Sequence, residues 1–242
     1  MGKLWAIILA AGKGERMGAD INKVSMPLAG QSLIKRTINI LRNSGITKII
    51  VLVGFAKESV LEQLDSDIIT VEQNEQLGTA HAVQTALSAV PKKVKDVLVL
   101  YGDNSYLLTK ELITELFEAH QKKDSAITML TSDSINPQGI GRIIRDNNGN
   151  IIKLVEVKDA TEKELESKEI NLGVYIFNLD FLRENLPKVE KSKITGEYYL
   201  TDLAEIAISN NEKVVALLKK DIKWRGINTK KDLKEAEKLI NG

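Results

Sequence analysis

Three observations predict an α/β fold with a doubly wound, Rossmann-like, mostly parallel sheet. Short apolar runs rich in β-branched residues recur along the chain, segments of helical period separate them, and charged or glycine-rich loops follow them. Continuous apolar runs suit strands buried on both faces. Their alternation with helices suits the crossover connections of a parallel sheet.

The elements follow in order. The first run, "WAIILAA" from Trp5, precedes the loop "GKGERM". It is too short to cross a bilayer, which takes roughly 20 apolar residues, and a charged loop follows it where a secretory leader would carry a cleavage region. It reads as a buried first strand. "SLIKRTINILRNSG" sets Leu33, Ile34, Ile38 and Leu41 near one stripe and ends at Gly45, a plausible helix-terminating glycine. "KIIVLVG", "DIITVEQ", "DVLVLYGD", "SAITMLT" and "LGVYIFN" supply further strands, and "KELITELFEAHQKK" repeats the helical stripe with Leu112, Ile113, Leu116 and Phe117.

From about residue 139 the rhythm changes. "GRIIRDNNGNIIKLVEVKD" is two strand-like runs around Asp146-Asn147-Asn148-Gly149, a hairpin signal. "ATEKELESKE" reads as a solvated helix or loop, and "KKDLKEAEKLI" as a final polar helix. The expected organisation is a single domain over 1–242. A nucleotide-binding half, about 1–138, precedes a smaller substrate-facing half, about 139–242.

Bulk properties narrow the function. The chain has 242 residues, 43% hydrophobic and 28% charged, enough for a well-buried core. A net charge of +1 and 5% aromatic residues give neither the basic field nor the stacking platforms of a nucleic-acid binder. There are no cysteines, which removes disulfides and thiolate metal sites and fits the cytoplasm. The two histidines cannot form a zinc cluster alone. His81 is expected in the first turn of the helix after "QLGT", satisfied locally, and His120, late in a polar helix, on the surface.

The loop after the first strand carries the chemistry. It lacks the Gly-Lys-Ser/Thr ending of a P-loop, and Met17 stands where a dinucleotide fingerprint needs its third glycine. Gly12 and Gly14 let backbone N–H groups approach an anion, and Lys13, Arg16 and Lys23 add three cations. The second strand ends at Gly54-Phe55, with no acidic residue for a ribose, which argues against NAD, while the three cations argue for a more highly charged group such as a triphosphate. The loop and "YGD" both follow strand ends, so they should face one crevice.

"LAAGKGERM…K" resembles the signature of the sugar-nucleotidyltransferases, which join a nucleoside triphosphate to a sugar 1-phosphate. "EQLGTAHAVQTA", "YGD", "GIGRIIRDNNG", "VEVKDAT", "EINLGVYIFN", "GEYYLTDL" and "RGINT" are together similar to the uridylyltransferase domains of the bifunctional bacterial enzymes that make UDP-N-acetylglucosamine. The match runs in order from Leu4 to about Leu233. It implies a nucleotidyltransferase (GT-A-like) fold with a small, β-hairpin-containing sugar-binding part.

The resemblance also implies roles. Leu9, Ala10, Ala11, Gly12 and Gly14 would line the nucleotide, and Arg16 and Lys23 would be the catalytic cations around the triphosphate. Gln73, Gly78 and Thr79 would recognise uracil, an amide offering both donor and acceptor. Asp103 would bind Mg²⁺, a hard ion suited to a carboxylate, with Asn228 as second ligand and substrate contact. Gly102, just before it, would be a substrate contact, and Tyr101 reads equally as a ligand contact or as core packing. Gly141, Glu156 and Asn171 would line the sugar site. The plain alternatives are a solvated loop residue for Gln73, a helix N-cap for Asp103 and a surface strand residue for Glu156.

The implied partners are UTP and N-acetylglucosamine 1-phosphate, with no nucleic acid and no membrane insertion. A monomer or small homo-oligomer is expected, because the hexapeptide-repeat β-helix that acetylates and trimerises the bifunctional enzymes is not in this sequence. The sequence departs from the family in two places. Asn22 stands where the family usually has proline before the lysine, so Lys23 is expected to be more mobile. After Asp103, "NSY" is reminiscent of glucose-1-phosphate thymidylyltransferases, the main rival. However, "WRGINT" carries Gly226 where those enzymes have an aspartate. A non-catalytic nucleotide-sugar binder is the more distant alternative.

Overall fold

The structure, a computed structural model, describes residues 3–14, 20–133, 139–220, 222 and 226–241. β1 (Trp5–Ala10) opens the chain; β2 (Pro27–Leu28) and β3 (Gln31–Ser32) form a small ribbon. α1 (Leu33–Asn43), β4 (Lys48–Val53), α2 (Lys57–Leu61), β5 (Ile69–Glu72), α3 (Thr79–Ala86), β6 (Asp96–Tyr101), α4 (Lys110–Lys123) and β7 (Ile127–Asp133) follow. The hairpin β8 (Arg142–Arg145) and β9 (Ile151–Val155) leads to α5 (Glu162–Leu165), β10 (Glu169–Asn178) and α6 (Leu179–Asn185). α7 (Leu203–Ser209), β11 (Val214–Leu218) and α8 (Lys230–Asn241) complete it.

The main sheet runs β11-β7-β10-β6-β1-β4-β5, with the β8–β9 hairpin attached through β10. β1 is parallel to both β4 and β6, and β5 to β4. Alternate residues explain why the runs are apolar throughout. Ile7, Ile50, Leu52, Val97 and Val99 pack on one face, and Ala6, Ile8, Val51, Leu98 and Leu100 on the other. A strand with a core on each side has no solvent face on which to alternate. A third cluster of Leu28, Leu33, Tyr106, Ile227 and Ala236 seats α8 against the β2–β3 ribbon.

One direction differs from the simplest reading of those runs. β10 is antiparallel to both neighbours, Val174 opposite Leu100 and Tyr175 opposite Met129. Apolarity reports burial on both faces and is blind to direction. The consequence is functional. The carboxyl ends of β1, β4 and β6 and the amino-terminal part of β10 lie at one edge, so Asn171 joins the loops that follow Ala10 and Tyr101.

Local chemistry sets the ends. Ser32 and Thr109 accept from the backbone of Lys35 and Leu112 at the starts of α1 and α4. Asp146 Oδ1 accepts from the backbone of Asn148 and Asn150, shaping the predicted hairpin turn, where Gly149 takes φ +83°. "ATEKELESKE" contains the short α5, held by a reciprocal Thr161–Glu164 capping box.

Candidate active site

The loop after β1 is fastened from several sides. Gly102 donates to Leu9 O at 3.0 Å, and Phe55 to Ala11 O at 3.1 Å. Gln76 Nε2 reaches Ala11 O at 2.8 Å. Gly54 packs so closely that a Cβ there would stand 2.8 Å from the Ala11 Cβ. Gly12 and Lys13 are exposed, and Gly14 takes φ +57°, a left-handed conformation that favours glycine. Arg16 lies outside the described residues.

Lys23 sits in a turn of 3-10 helix, Lys23–Ser25, capped by Asn22. In place of the family's proline, the structure gives Asn22 a set of buried hydrogen bonds. Asn22 is 1% exposed; its amide donates to Ala10 O at 2.9 Å and Phe55 O at 2.8 Å, and accepts from Val24 N at 3.1 Å. A buried side chain with all its polar groups engaged stiffens this position as a ring would.

The Lys23 ammonium pairs with the Asp103 carboxylate and lies 3.1 Å from Asn228 Oδ1. Asp103 follows β6, its backbone carbonyl accepting from Ile227 N at 3.4 Å. Asn228 is held in turn by the start of α8. Asp232 Oδ2 accepts from the backbone of Asn228 and Thr229, while Asp232 N donates to Thr229 Oγ1. Three sequence-distant predictions thus meet at one point. Asp103 is not an N-cap of α4; that position belongs to Thr109.

Gln73, expected either to read a base or to be solvated, is 5% exposed, and its amide donates to His81 Nδ1 at 2.9 Å. His81 lies in the first turn of α3, as expected. Gly78 has φ +114°, and a Cβ there would come 2.5 Å from Tyr198 O. Thr79 Oγ1 accepts from Leu200 N at 2.9 Å. The "QLGT" turn is therefore stitched to the "GEYYLT" segment.

Gly141, Glu156 and Asn171 are neighbours. Asn171 N donates to Gly141 O at 3.0 Å, and a Cβ on Gly141 would lie 3.5 Å from Glu156 Oε2 and 3.8 Å from the Asn171 Cβ. The Asn171 amide donates to Tyr175 Oη and accepts from Gly173 N. Tyr101 connects this group to the rest of the site. Its ring covers Gly173, and its hydroxyl meets Thr79 and Tyr175. Gly173 has φ +70° inside the register shift of β10, the only kind of residue that leaves room for the ring. Beside it, Glu156 lines a cavity of about 430 Å³ with Asp159, Tyr199, Asp202, Glu205 and Lys153. Burial, then the Asp159 and Glu197 carboxylates, push the Glu156 carboxyl up. Burial and the neighbouring Glu205, Asp159 and Glu156 push Asp202 up to about 6.

Asn22, Gly54, Gln76, Gly173 and Tyr175 escape the sequence reading. Gln76 and Gly173 stand inside quoted motifs, which was their available signal; Asn22 differs from an expected proline, which pointed to looseness instead. His120 is a correction. It is 2% exposed, 2.9 Å from Thr128 Oγ1 and 3.4 Å from Asp96 Oδ1, at the end of β6 away from Asp103.

The glycine loop, a lysine held by a carboxylate and an amide, and a polar cavity lined by Glu156 lie at the carboxyl-end edge of the sheet. The chain belongs to the nucleotidyl transferase family, whose profile matches residues 5–241. Within it, the chain is 39% identical to the bifunctional protein GlmU of Exiguobacterium sibiricum, over 96% of this chain and 52% of that one. It is 41% identical to that of a Geobacillus strain, over 99% of this chain and 52% of the relative, and 38% to that of Desulfotalea psychrophila, over 97% and 69%. The chain thus spans about half the length of most of these curated relatives. The likeness to sugar-1-phosphate nucleotidyltransferases read from the motifs is borne out. A Bacillus anthracis crystal structure assigned as a glucose-1-phosphate thymidylyltransferase shares the fold, with TM-score 0.79 at 21% identity over 98% of this chain and 94% of that one.

Proposed function

We propose that this nucleotidyltransferase moves UMP from UTP to N-acetylglucosamine 1-phosphate, releasing pyrophosphate and forming UDP-N-acetylglucosamine with the help of Mg²⁺. The observation that carries the reading is the meeting of Lys23, Asp103 and Asn228 beside the glycine loop. Identity to the bifunctional GlmU proteins over nearly the whole chain supports the choice of base and sugar.

The donor set fits a small hard cation. Asp103 and Asn228 turn one carboxylate and one amide oxygen toward a single positive group, the Lys23 ammonium. Among the described residues no three His, Cys, Asp or Glu side chains gather into a metal site. Magnesium suits so sparse a set because it keeps waters and leans on substrate phosphates. Held by Asp103 and Asn228, it would neutralise charge on the phosphates.

The residues of the chain supply the rest. The attacking phosphomonoester has its second pKa near about 6 and is largely ionised at neutral pH. It needs no general base; of the two histidines, His81 is hydrogen-bonded to Gln73 and His120 lies at the end of β6 away from Asp103. Attack in line at the α-phosphorus expels pyrophosphate. Lys23, with Arg16, would steady the charge that develops there, and the exposed amides of the glycine loop would hold the triphosphate. Gln73, Gly78 and Thr79 are assigned to the base, and Gly141, Glu156 and Asn171 to the sugar. A carboxyl and an amide accept from and donate to hydroxyl and acetamido groups.

Pyrophosphate release with UTP, dTTP and CTP, each paired with N-acetylglucosamine 1-phosphate or glucose 1-phosphate, tests the proposal. UTP with N-acetylglucosamine 1-phosphate should be fastest. Preference for dTTP with glucose 1-phosphate would reassign the chain to the thymidylyl-transferring group, and silence with every pair would favour a nucleotide-sugar binder.

A further inference from the structure

We infer that Asn22 is a positioning residue for turnover, its buried amide setting where the Lys23 ammonium stands; this rests on the nucleotidyl-transfer reading above. The Asn22 Nδ2 group faces three carbonyl oxygens, Ala10 at 2.9 Å, Phe55 at 2.8 Å and Gly12 at 3.4 Å. They belong to the end of β1, the segment after β4 and the glycine loop. On its other side, Oδ1 accepts from Val24 N at 3.1 Å, and the Asn22 backbone donates to Ser59 Oγ at 2.9 Å. Ser25 Oγ donates to Ser59 O at 2.8 Å, so the turn is anchored on both sides of Lys23.

At 1% exposure, with donor and acceptor both turned inward, Asn22 has nothing left to offer a substrate. Whatever it contributes passes through its neighbours, and the residue it fastens is Lys23. Gly14 lies against the lysine stem, where a Cβ would stand 3.3 Å from the Lys23 Cβ. An amide is the side chain this spot demands. Two N–H hydrogens face the carbonyls and one oxygen faces an N–H, whereas aspartate would turn a carboxylate onto carbonyl oxygens and alanine would leave them dry.

The test is a double-mutant cycle on kcat, with Asn22→Ala and Lys23→Ala alone and together, using the substrate pair that the wild type turns over best. In the Lys23 background Asn22→Ala should lower kcat about 10- to 100-fold, as displacements near 1 Å do. In the Lys23→Ala background it should change kcat by less than about twofold, because the group it positions is gone. Asn22→Ser can still cap Val24 but cannot reach the carbonyls, so it should fall between, and it carries the cycle if the alanine variant does not fold. Equal losses in both backgrounds would overturn the inference by showing general loosening, as would an unchanged kcat in the Lys23 background. A wild type inert with every pair overturns the reaction reading and this inference with it. A working wild type with additive losses overturns this inference alone.

Discussion

Lys23 Nζ lies 3.1 Å from Asn228 Oδ1, joining residues 205 positions apart. The contact places the glycine loop and the start of α8 around one carboxylate, Asp103. The proposed function puts the triphosphate, the ion and the leaving group at that junction, so it is where substitutions should be most informative.

Lys23→Ala removes a preorganised cation, and its loss should lower kcat about 10²- to 10³-fold with an unchanged fold. Steady-state pyrophosphate release and circular dichroism on the same preparation check both halves. Turnover near that of the wild type would remove Lys23 from the charge-stabilising role.

Asp103→Asn keeps the shape and removes the negative charge. The expected result is severe loss of activity and a Mg²⁺ titration shifted to higher concentration, because a neutral amide binds a hard dication weakly. A titration curve superimposable on that of the wild type would place the ion on other residues.

Gly173→Ala asks a left-handed position to carry a side chain, with its Cβ 2.6 Å from Cε2 of Tyr101. Backbone strain and overlap together should cost about 2–4 kcal/mol in urea unfolding. The Tyr101 ring must move, so KM for the sugar phosphate should rise. A neutral effect on both would mean that the ring is not fixed by this contact.

Asp202 has its pKa raised from 3.8 to about 6 in the folded chain. The folded state therefore holds the proton more tightly than the unfolded one. The favourable contribution is complete below about pH 4 and is lost as pH climbs through about 6, above which the buried charge is a cost. Asp202→Asn should raise Tm at about pH 8 and change it little at about pH 4. The opposite trend in thermal scans would reverse the assignment.

Much of this was legible in the sequence, for physical reasons. Strands with a core on both faces write themselves as unbroken apolar runs, and Ile7 and Ile8 do pack on opposite faces. Lys23, Asp103 and Asn228 stand in motifs that the family resemblance marked out, and the structure brings them together. What stayed hidden depends on partners far along the chain or on strand direction and register. The polar surroundings of His120 give no sign of Asp96, 24 residues away. The direction of β10 leaves no mark on its composition, and neither does the register shift around Gly173 that brings Tyr175 to Asn171 four residues away. The half-exposed β11 is too short and too partly buried to stand out.

The central claim is attack at the α-phosphorus of a nucleoside triphosphate, and the fate of radiolabel tests it most directly. With N-acetylglucosamine 1-phosphate present, label at the α-position of UTP should appear in the nucleotide sugar, and label at the γ-position in pyrophosphate. Label from the γ-position in the sugar product or in free inorganic phosphate would contradict the account.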